Sequence, residues 1–248
     1  MQRRTAADHI LPFCVSEMPS GPWRVLEIGC SEAGVLKAFT DAGHVGFGIE
    51  LDEQRLINAR KFMAAELAKG KVQFLNKNIY DVDVEKDLNG TFDLIVLKDV
   101  IEHIPNQEVF IPMLRDFLSP GGKIFFGFPP WQMPFGGHQQ MNKSKFLARL
   151  PYYHLLPREI YKGVLKLFKE DDRRIEHLLE IKDTGISMER FERIAKKDFK
   201  IVKRTVYLTN PIYEYKFGLK PRKQLGIIAA VPYLRNFLST CTYYLISP

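Results

Sequence analysis

Short apolar or β-branched runs alternate with helically spaced stretches through the first half of this chain, and then the alternation stops. The runs are Arg24 to Ile28, Val45 to Glu50, Val72 to Leu75, Phe92 to Leu97 and Lys123 to Phe128. Between them the spacing predicts helices over about 33–42, from an N-cap at Asp52 to about Lys69 with Gly70 closing it, and over 107–118. FDLIVL, Phe92 to Leu97, is nearly unbroken in its apolarity, as a parallel strand buried on both faces requires. Five strands alternating with helical segments, read as five β-α units, predict an α/β fold around a parallel sheet. Ahead of them, residues 5 to 17 carry Ile10, Leu11, Cys14 and Val15 on a helical stripe that the PSGP turn at 19 to 22 stops.

Beyond Pro130 the rhythm changes. WQMPFGGHQQ, Trp131 to Gln140, reads as a loop, and 142 to 183 read as two or three short helices punctuated by Pro151 and Pro157, a cap inserted after the fifth strand. Ser187 to Lys197 then predicts a helix with Met188, Phe191 and Ile194 on one face. Phe199 to Leu208 alternates as a strand, and Thr240 to Ile246 reads as the last one. Residues 210 to 238, rich in tyrosine and lysine, are an excursion between these strands. The expected organisation is one domain: a core over 1–141, a helical cap over 142–185, and the remainder of the sheet over 186–248. No internal repeat or low-complexity segment interrupts it.

The chemistry is expected where the first strand meets its helix, in VLEIGCSEAGVLKAF, Val25 to Phe39. Gly29 and Gly34 let backbone approach a ligand, and the helix start offers unpaired N–H groups beyond the strand's carboxyl end. The second strand ends in Glu50, twenty-one residues after Gly29, where a carboxylate can accept both hydroxyls of a ribose. A dinucleotide site would share that acid. The loop, however, reads EIGCSEAG, with Ser31 where the pyrophosphate fingerprint needs a second glycine, and no GK[ST] follows. A nucleotide-type ligand without phosphates is expected.

Five segments in order, LEIGCSEAG (Leu26 to Gly34), GIELD (Gly48 to Asp52), NKNIYD (Asn76 to Asp81), FDLIVLKDVIEHIP (Phe92 to Pro105) and LSPGGKIFFGFPP (Leu118 to Pro130), together resemble the class I S-adenosylmethionine-dependent methyltransferases, in particular the group of ubiquinone-biosynthesis O-methyltransferases. The resemblance covers about residues 23 to 130. It implies a Rossmann-like, doubly wound, seven-stranded sheet, mostly parallel with an antiparallel last strand, in which the leading helix lids the cofactor. It implies S-adenosyl-L-methionine as cofactor, with Glu50 at the ribose, Asn78 and Ile79 at the adenine, and Leu51 of the GIELD segment among the cofactor-binding residues. Glu27, Gly29, Cys30 and Gly34 would form the loop around the methionine moiety. Lys98, mainly through its backbone, and Asp99 would line the methionine end. Ser31 and Ala33 depart from the family's more usual glycines.

Methyl transfer asks little of a protein beyond alignment and removal of a proton from the acceptor. His103, closing DVIEH, and His138, after the double-glycine turn, follow strands whose ends face one crevice, and both are candidate bases. A sharper alternative is that Asp99, Glu102, His103 and His138 resemble the divalent-metal site of small-RNA 2′-O-methyltransferases; the primary expectation is that no metal is used.

Composition adjusts this picture in three places. The net charge of +7 conceals −4 over residues 1–141 and +11 over 142–248, so an anionic acceptor or surface is one reading of the basic half and solubility the other. Lys143, Lys145, Arg149 and Arg158 bracket Tyr152 and Tyr153 there. Cys14, Cys30 and Cys241 are too scattered for a disulfide framework, and MQRRTAADH lacks a secretory apolar core, so a reducing, cytoplasmic setting is expected. The longest apolar run, Leu225 to Leu234, contains Pro232 and is too short to span a bilayer; peripheral membrane contact remains open.

The expected activity is O-methylation of a small-molecule, glycan or lipid-linked acceptor. PYYHLLPR (Pro151 to Arg158) and KFGLKPRK (Lys216 to Lys223) resemble a bacterial branch of the family that does not disclose the acceptor. The alternatives are metal-assisted methylation of an RNA ribose, with nucleic acid the less expected partner, and an inactive adenosylmethionine-binding partner protein.

Overall fold

The computed structural model describes all 248 residues. Its sheet contains β1 (Arg24–Ile28), β2 (Val45–Ile49), β3 (Val72–Leu75), β4 (Phe92–Lys98), β5 (Leu118–Phe128), β6 (Lys200–Thr209), β7 (Arg222–Lys223) and β8 (Cys241–Ser247). Their order is β3-β2-β1-β4-β5-β8-β6-β7. The first five run parallel, as the alternation with helices predicts. β8 enters antiparallel between β5 and β6, and β7 extends the edge beyond β6. The sheet thus has eight strands where seven are expected, because Arg222 and Lys223 pair with β6 over a length too short to show a period in the sequence.

Strand direction and burial follow from side-chain alternation. Leu26, Phe47, Ile95 and Phe126 enter the core on one face, and Val25, Leu94, Val96 and Phe125 enter the core on the other. Two covered faces explain why FDLIVL shows no polar alternation. β5 begins earlier than expected, since Leu118 pairs with Phe92 before the register shifts and SPGG rides over the irregularity. The helix capped by Asp52, whose carboxylate accepts the Gln54 and Arg55 N–H groups, runs over Glu53–Phe62. It breaks at the buried Met63, and Ala64–Ala68 is a separate helix.

The leading segment is helical throughout, but its phase differs from the simple stripe. Pro12 has no N–H to give back to the preceding turn, and the helix widens into a π-turn over Ala6–Ile10 between Gln2–Thr5 and Leu11–Val15. Ala6, Ile10, Phe13 and Cys14 are therefore inside, and Val15 is exposed.

In the second half, helices Arg158–Leu167 and Asp172–Thr184 share a small core of their own with Tyr153, Tyr161, Leu165, Ile175 and Leu178. Helix Met188–Ala195, capped by Ser187, packs Phe191 against Phe126 and Phe128 of β5. Short helices Ile212–Phe217, Gly226–Ala230 and Leu234–Phe237 occupy the excursion between β6 and β8. No helix is long and apolar enough to cross a membrane.

Candidate active site

The strand order reverses between β1 and β4, and a parallel sheet opens a crevice at the carboxyl ends of such a pair. Three cavities line up along it. One of about 450 Å³ is bounded by Gly29, Glu50, Leu51, Asn78, Ile79 and His103. A second, of about 390 Å³, is bounded by Glu27, Gly29, Cys30, Gly34 and Lys98, with Gln2 above it. The third, of about 600 Å³, lies between the WQMPFGGH loop and the helix Ile212–Phe217 and has Asp99, Glu102 and His138 on its wall. Gly29 borders the first two and Asp99 the first and third, so the cavities adjoin one another along a trough at the strand ends.

The glycine loop is held in an unusual backbone path. Gly29, Ser31 and Ala33 all have positive φ, at 67°, 49° and 59°. The two positions where this chain departs from glycine are therefore left-handed turns, which cost a side-chain-bearing residue roughly 1 kcal/mol or more each. Glu50 supports the strained path: its carboxylate accepts the N–H of Ser31 at 2.9 Å, of Leu51 at 2.9 Å and of Asp52 at 3.1 Å. A Cβ on Gly29 would stand 2.8 Å from Val100, and one on Gly34 would stand 2.8 Å from the Cβ of Gln2. Gly34 is thus needed for the leading helix to close over the loop.

Glu27 sits under that loop, where its Oε2 accepts the Leu36 N–H at 2.9 Å and satisfies one of the unpaired amides at the start of helix Gly34–Asp41. Burial pushes its carboxyl up to about 8, against the Leu36 hydrogen bond, with a smaller upward push from Glu50. Between the ordinary value of 4.5 and about 8, the folded chain keeps a proton that the unfolded chain has lost, so this group lowers stability progressively as pH rises through that window. Glu27→Gln, which keeps an acceptor for Leu36, is expected to melt higher than the parent at pH 9 and nearly equally at pH 4.5. The gap, at most about 5 kcal/mol and thus several degrees, is read by thermal denaturation across pH. Equal melting at both pH values would remove the buried acid from the account.

At the end of β4, Lys98 is buried along its side chain and its Nζ meets Asp99. Burial opposes the ammonium, but Asp99, with Cys241 and Glu102 behind it, outweighs that and holds the Lys98 value above normal. Lys98 borders the second cavity with its side chain almost wholly buried. Asp99 has φ 56°, a second strained position at the trough. On the opposite side, Asn78 Oδ1 accepts the Tyr80 N–H and Ile79 is buried against the first cavity. Cys30 is buried and its thiol is pushed far up by that burial, so it stays neutral.

His103 and His138 come from segments 35 residues apart and meet with ring centroids 5.0 Å apart at 64°. His103 faces the first cavity and His138 the third. Burial, then the neighbouring His138, push His103 down to about 4; burial likewise lowers His138, with Asp99 opposing. Both imidazoles are neutral at pH 7 and able to accept a proton. Ligand atoms of Glu102, His103 and His138 lie within 4.8 Å of one another, and both Glu102 oxygens are buried without a hydrogen-bond partner. Burial first, and Asp99 next, raise the Glu102 carboxyl to about 8. Asp99, the fourth residue of the metal-site resemblance, is turned to Lys98 and falls outside this cluster.

Met133, Phe135, Asn210 and Tyr213 also line the third cavity. None stands out by residue type, and only the loop-forming WQMPFGGH and the Asn210-Pro211 stop after β6 hint that chain turns there. The leading helix ties the two ends of the trough together. Arg3 donates to Asp41 at 2.7 Å beside the loop, and His9 and Asp8 meet Glu214 and Tyr215 of helix Ile212–Phe217 beside the third cavity.

A sheet in this order, with an antiparallel strand slipped between β5 and β6 and an acid closing β2 beside a glycine loop, defines the class I methyltransferase fold. Residues 1–150 match the family described as a methyltransferase domain, and the chain belongs to that family. Ubiquinone biosynthesis O-methyltransferases are similar over the core. That of Coxiella burnetii (strain Dugway 5J108-111) is 31% identical over 105 residues, covering 41% of this chain and 42% of the relative. That of Idiomarina loihiensis is 29% identical over 103 residues, covering 42% of this chain and 41% of the relative. The match to these relatives therefore spans less than half of their length. Among solved structures, an S-adenosylmethionine-dependent methyltransferase from Clostridium acetobutylicum superposes with TM-score 0.61 at 12% identity, covering 99% of this chain and 91% of that one. Magnesium protoporphyrin IX methyltransferase from Synechocystis PCC 6803, with bound SAH, gives 0.57 at 14%, covering 99% and 83%.

Proposed function

We propose that this chain is an S-adenosylmethionine-dependent methyltransferase acting on an oxygen of a small, partly apolar acceptor. The observation that carries this reading is the shared trough: the cavity at Glu50 and the cavity beside helix Ile212–Phe217 join at Asp99, and the histidine pair stands where they join. The residues fit the cofactor. Glu50 offers its carboxylate to the ribose hydroxyls, Leu51, Asn78 and Ile79 frame the adenine, and Glu27, Gly29, Cys30, Gly34, Lys98 and Asp99 surround the methionine moiety. When bound, the cofactor supplies a methyl group made electrophilic by its sulfonium. His103 or His138, as a neutral imidazole, would take the proton that the acceptor hydroxyl gives up as its oxygen is methylated.

That the similar proteins are ubiquinone biosynthesis O-methyltransferases supports oxygen as the accepting atom. Titration calorimetry with adenosylmethionine, followed by labelled methyl transfer in an extract of the source cell, tests the proposal. Binding without any labelled product would favour the inactive-partner reading, and absence of binding would overturn both.

The orphaned Glu102 carboxylate favours a second reading of the same site. A divalent cation held by Glu102, His103 and His138 would satisfy both buried oxygens and polarise the acceptor hydroxyl. On this reading EDTA abolishes turnover and manganese or magnesium restores it, while manganese also raises the melting temperature of the cofactor-free chain. Turnover and melting that ignore both treatments leave the histidines as metal-free bases.

A further inference from the structure

We infer that residues 217–238 form a surface that docks this chain on an anionic lipid bilayer. The helix Leu234–Phe237 is inside out for a protein surrounded by water. Arg235 and Asn236 are buried, and Leu234 and Phe237 are exposed. The inward contacts are specific: the Arg235 guanidinium donates to Glu189 at 2.9 Å and to Glu192 at 3.0 Å, and Asn236 Oδ1 accepts the Met188 N–H at 2.9 Å. Burying an ion pair carries a desolvation cost, and leaving apolar side chains in water forgoes their burial, so polar-in and apolar-out is the reverse of what water selects.

The same orientation extends upstream. Helix Gly226–Ala230 buries none of its residues. Leu225, Ile227 and Tyr233 are 66%, 78% and 69% exposed. Apolar side chains gathered in this way mark an interaction site more often than chance exposure.

Charge selects the occupant. Lys216, just ahead of this surface, and Lys220, Arg222 and Lys223 within it are exposed beside the apolar residues, and none of them has an acidic partner; residues 217–238 hold no acid, and the preceding Glu214 faces His9. A second copy of this chain would bring like charges together across the contact. An anionic bilayer satisfies both features, since it takes apolar side chains below its headgroups and holds cations at them. The surface is also continuous with the site: Lys216, Phe217 and Leu219 line the cavity of about 600 Å³. On the methyltransferase reading, with which this last step stands or falls, docking puts the cavity mouth at the membrane and an acceptor with a hydrocarbon tail reaches it from the bilayer.

The test is co-sedimentation of the full chain with vesicles of phosphatidylcholine alone or mixed equally with phosphatidylglycerol, at low and at physiological salt. Binding to the anionic vesicles is expected, weakening with salt as exposed charges are screened. Each cation near such a surface is worth roughly fivefold, so Lys220→Glu, Arg222→Glu and Lys223→Glu combined should reduce binding by about 100-fold or more. Leu225→Asp with Ile227→Asp should abolish it while adenosylmethionine affinity stays at the parent value, which keeps the docking test separate from the cofactor reading. Tyr233→Trp should shift its emission to the blue on adding anionic vesicles. No sedimentation at low salt, sedimentation indifferent to the aspartate pair, or a dimer that the aspartate pair dissociates in the absence of vesicle binding would each overturn the proposal.

Discussion

Glu50→Ala is expected to weaken adenosylmethionine binding by on the order of 1.5–3 kcal/mol, roughly 10- to 150-fold, because it removes a charge-assisted contact to two ribose hydroxyls at once. The structure adds a second source of loss. The same carboxylate accepts the Ser31, Leu51 and Asp52 amides, and Ser31 is one of the left-handed positions of the loop. Removing it leaves a strained turn without its hydrogen bond, so the free protein should also melt lower. Glu50→Gln separates the effects: its carbonyl can keep one loop amide, while its amide replaces an acceptor with a donor toward the ribose. Calorimetry gives the affinities. Unchanged affinity in the alanine variant would withdraw the ribose assignment, and NAD binding of comparable strength would withdraw the cofactor.

His103→Ala should lower turnover by roughly 10²–10⁴-fold with cofactor affinity almost unchanged, if its imidazole takes the acceptor proton. Because burial and His138 hold His103 down to about 4, the base stays unprotonated well below pH 6, and the parent's rate should remain flat there before falling as pH drops toward 4. An ordinary surface histidine would lose activity near pH 6.5 instead. His138→Ala provides the comparison: loss confined to His103 names the base, equal losses indicate that the pair acts together, and full activity in both returns the histidines to a structural role. Running the series with and without EDTA distinguishes loss of a base from loss of a metal ligand.

The core was legible because its determinants are local. A glycine loop between a β-branched run and a helical stripe, an acid at a fixed distance from it, and FDLIVL without polar alternation are properties of neighbours in sequence, and backbone geometry turns each into one element. Glu50 could be singled out for the same reason, since the parallel strand ending at Ile49 puts the next residue at the crevice. What sequence could not show were relations between distant segments. The π-turn before Pro12 shifts the phase of the leading stripe, and Arg222 and Lys223 become a strand only because β6 is already there to pair with.

The class of fold, the place of the glycine loop and the acid that closes it are written in the order of the amino acids, because periodicity and turn chemistry act over a few residues. Tertiary structure alone decided that His103 and His138 meet, that Glu102 lies buried beside them without a partner, and that Asp99 turns to Lys98. It also decided that LRNF faces its polar residues inward, toward Glu189 and Glu192 on another helix. Those outcomes depend on burial and on charges brought close by packing, and a side chain's solvation and partners exist only once the distant elements have been placed around it.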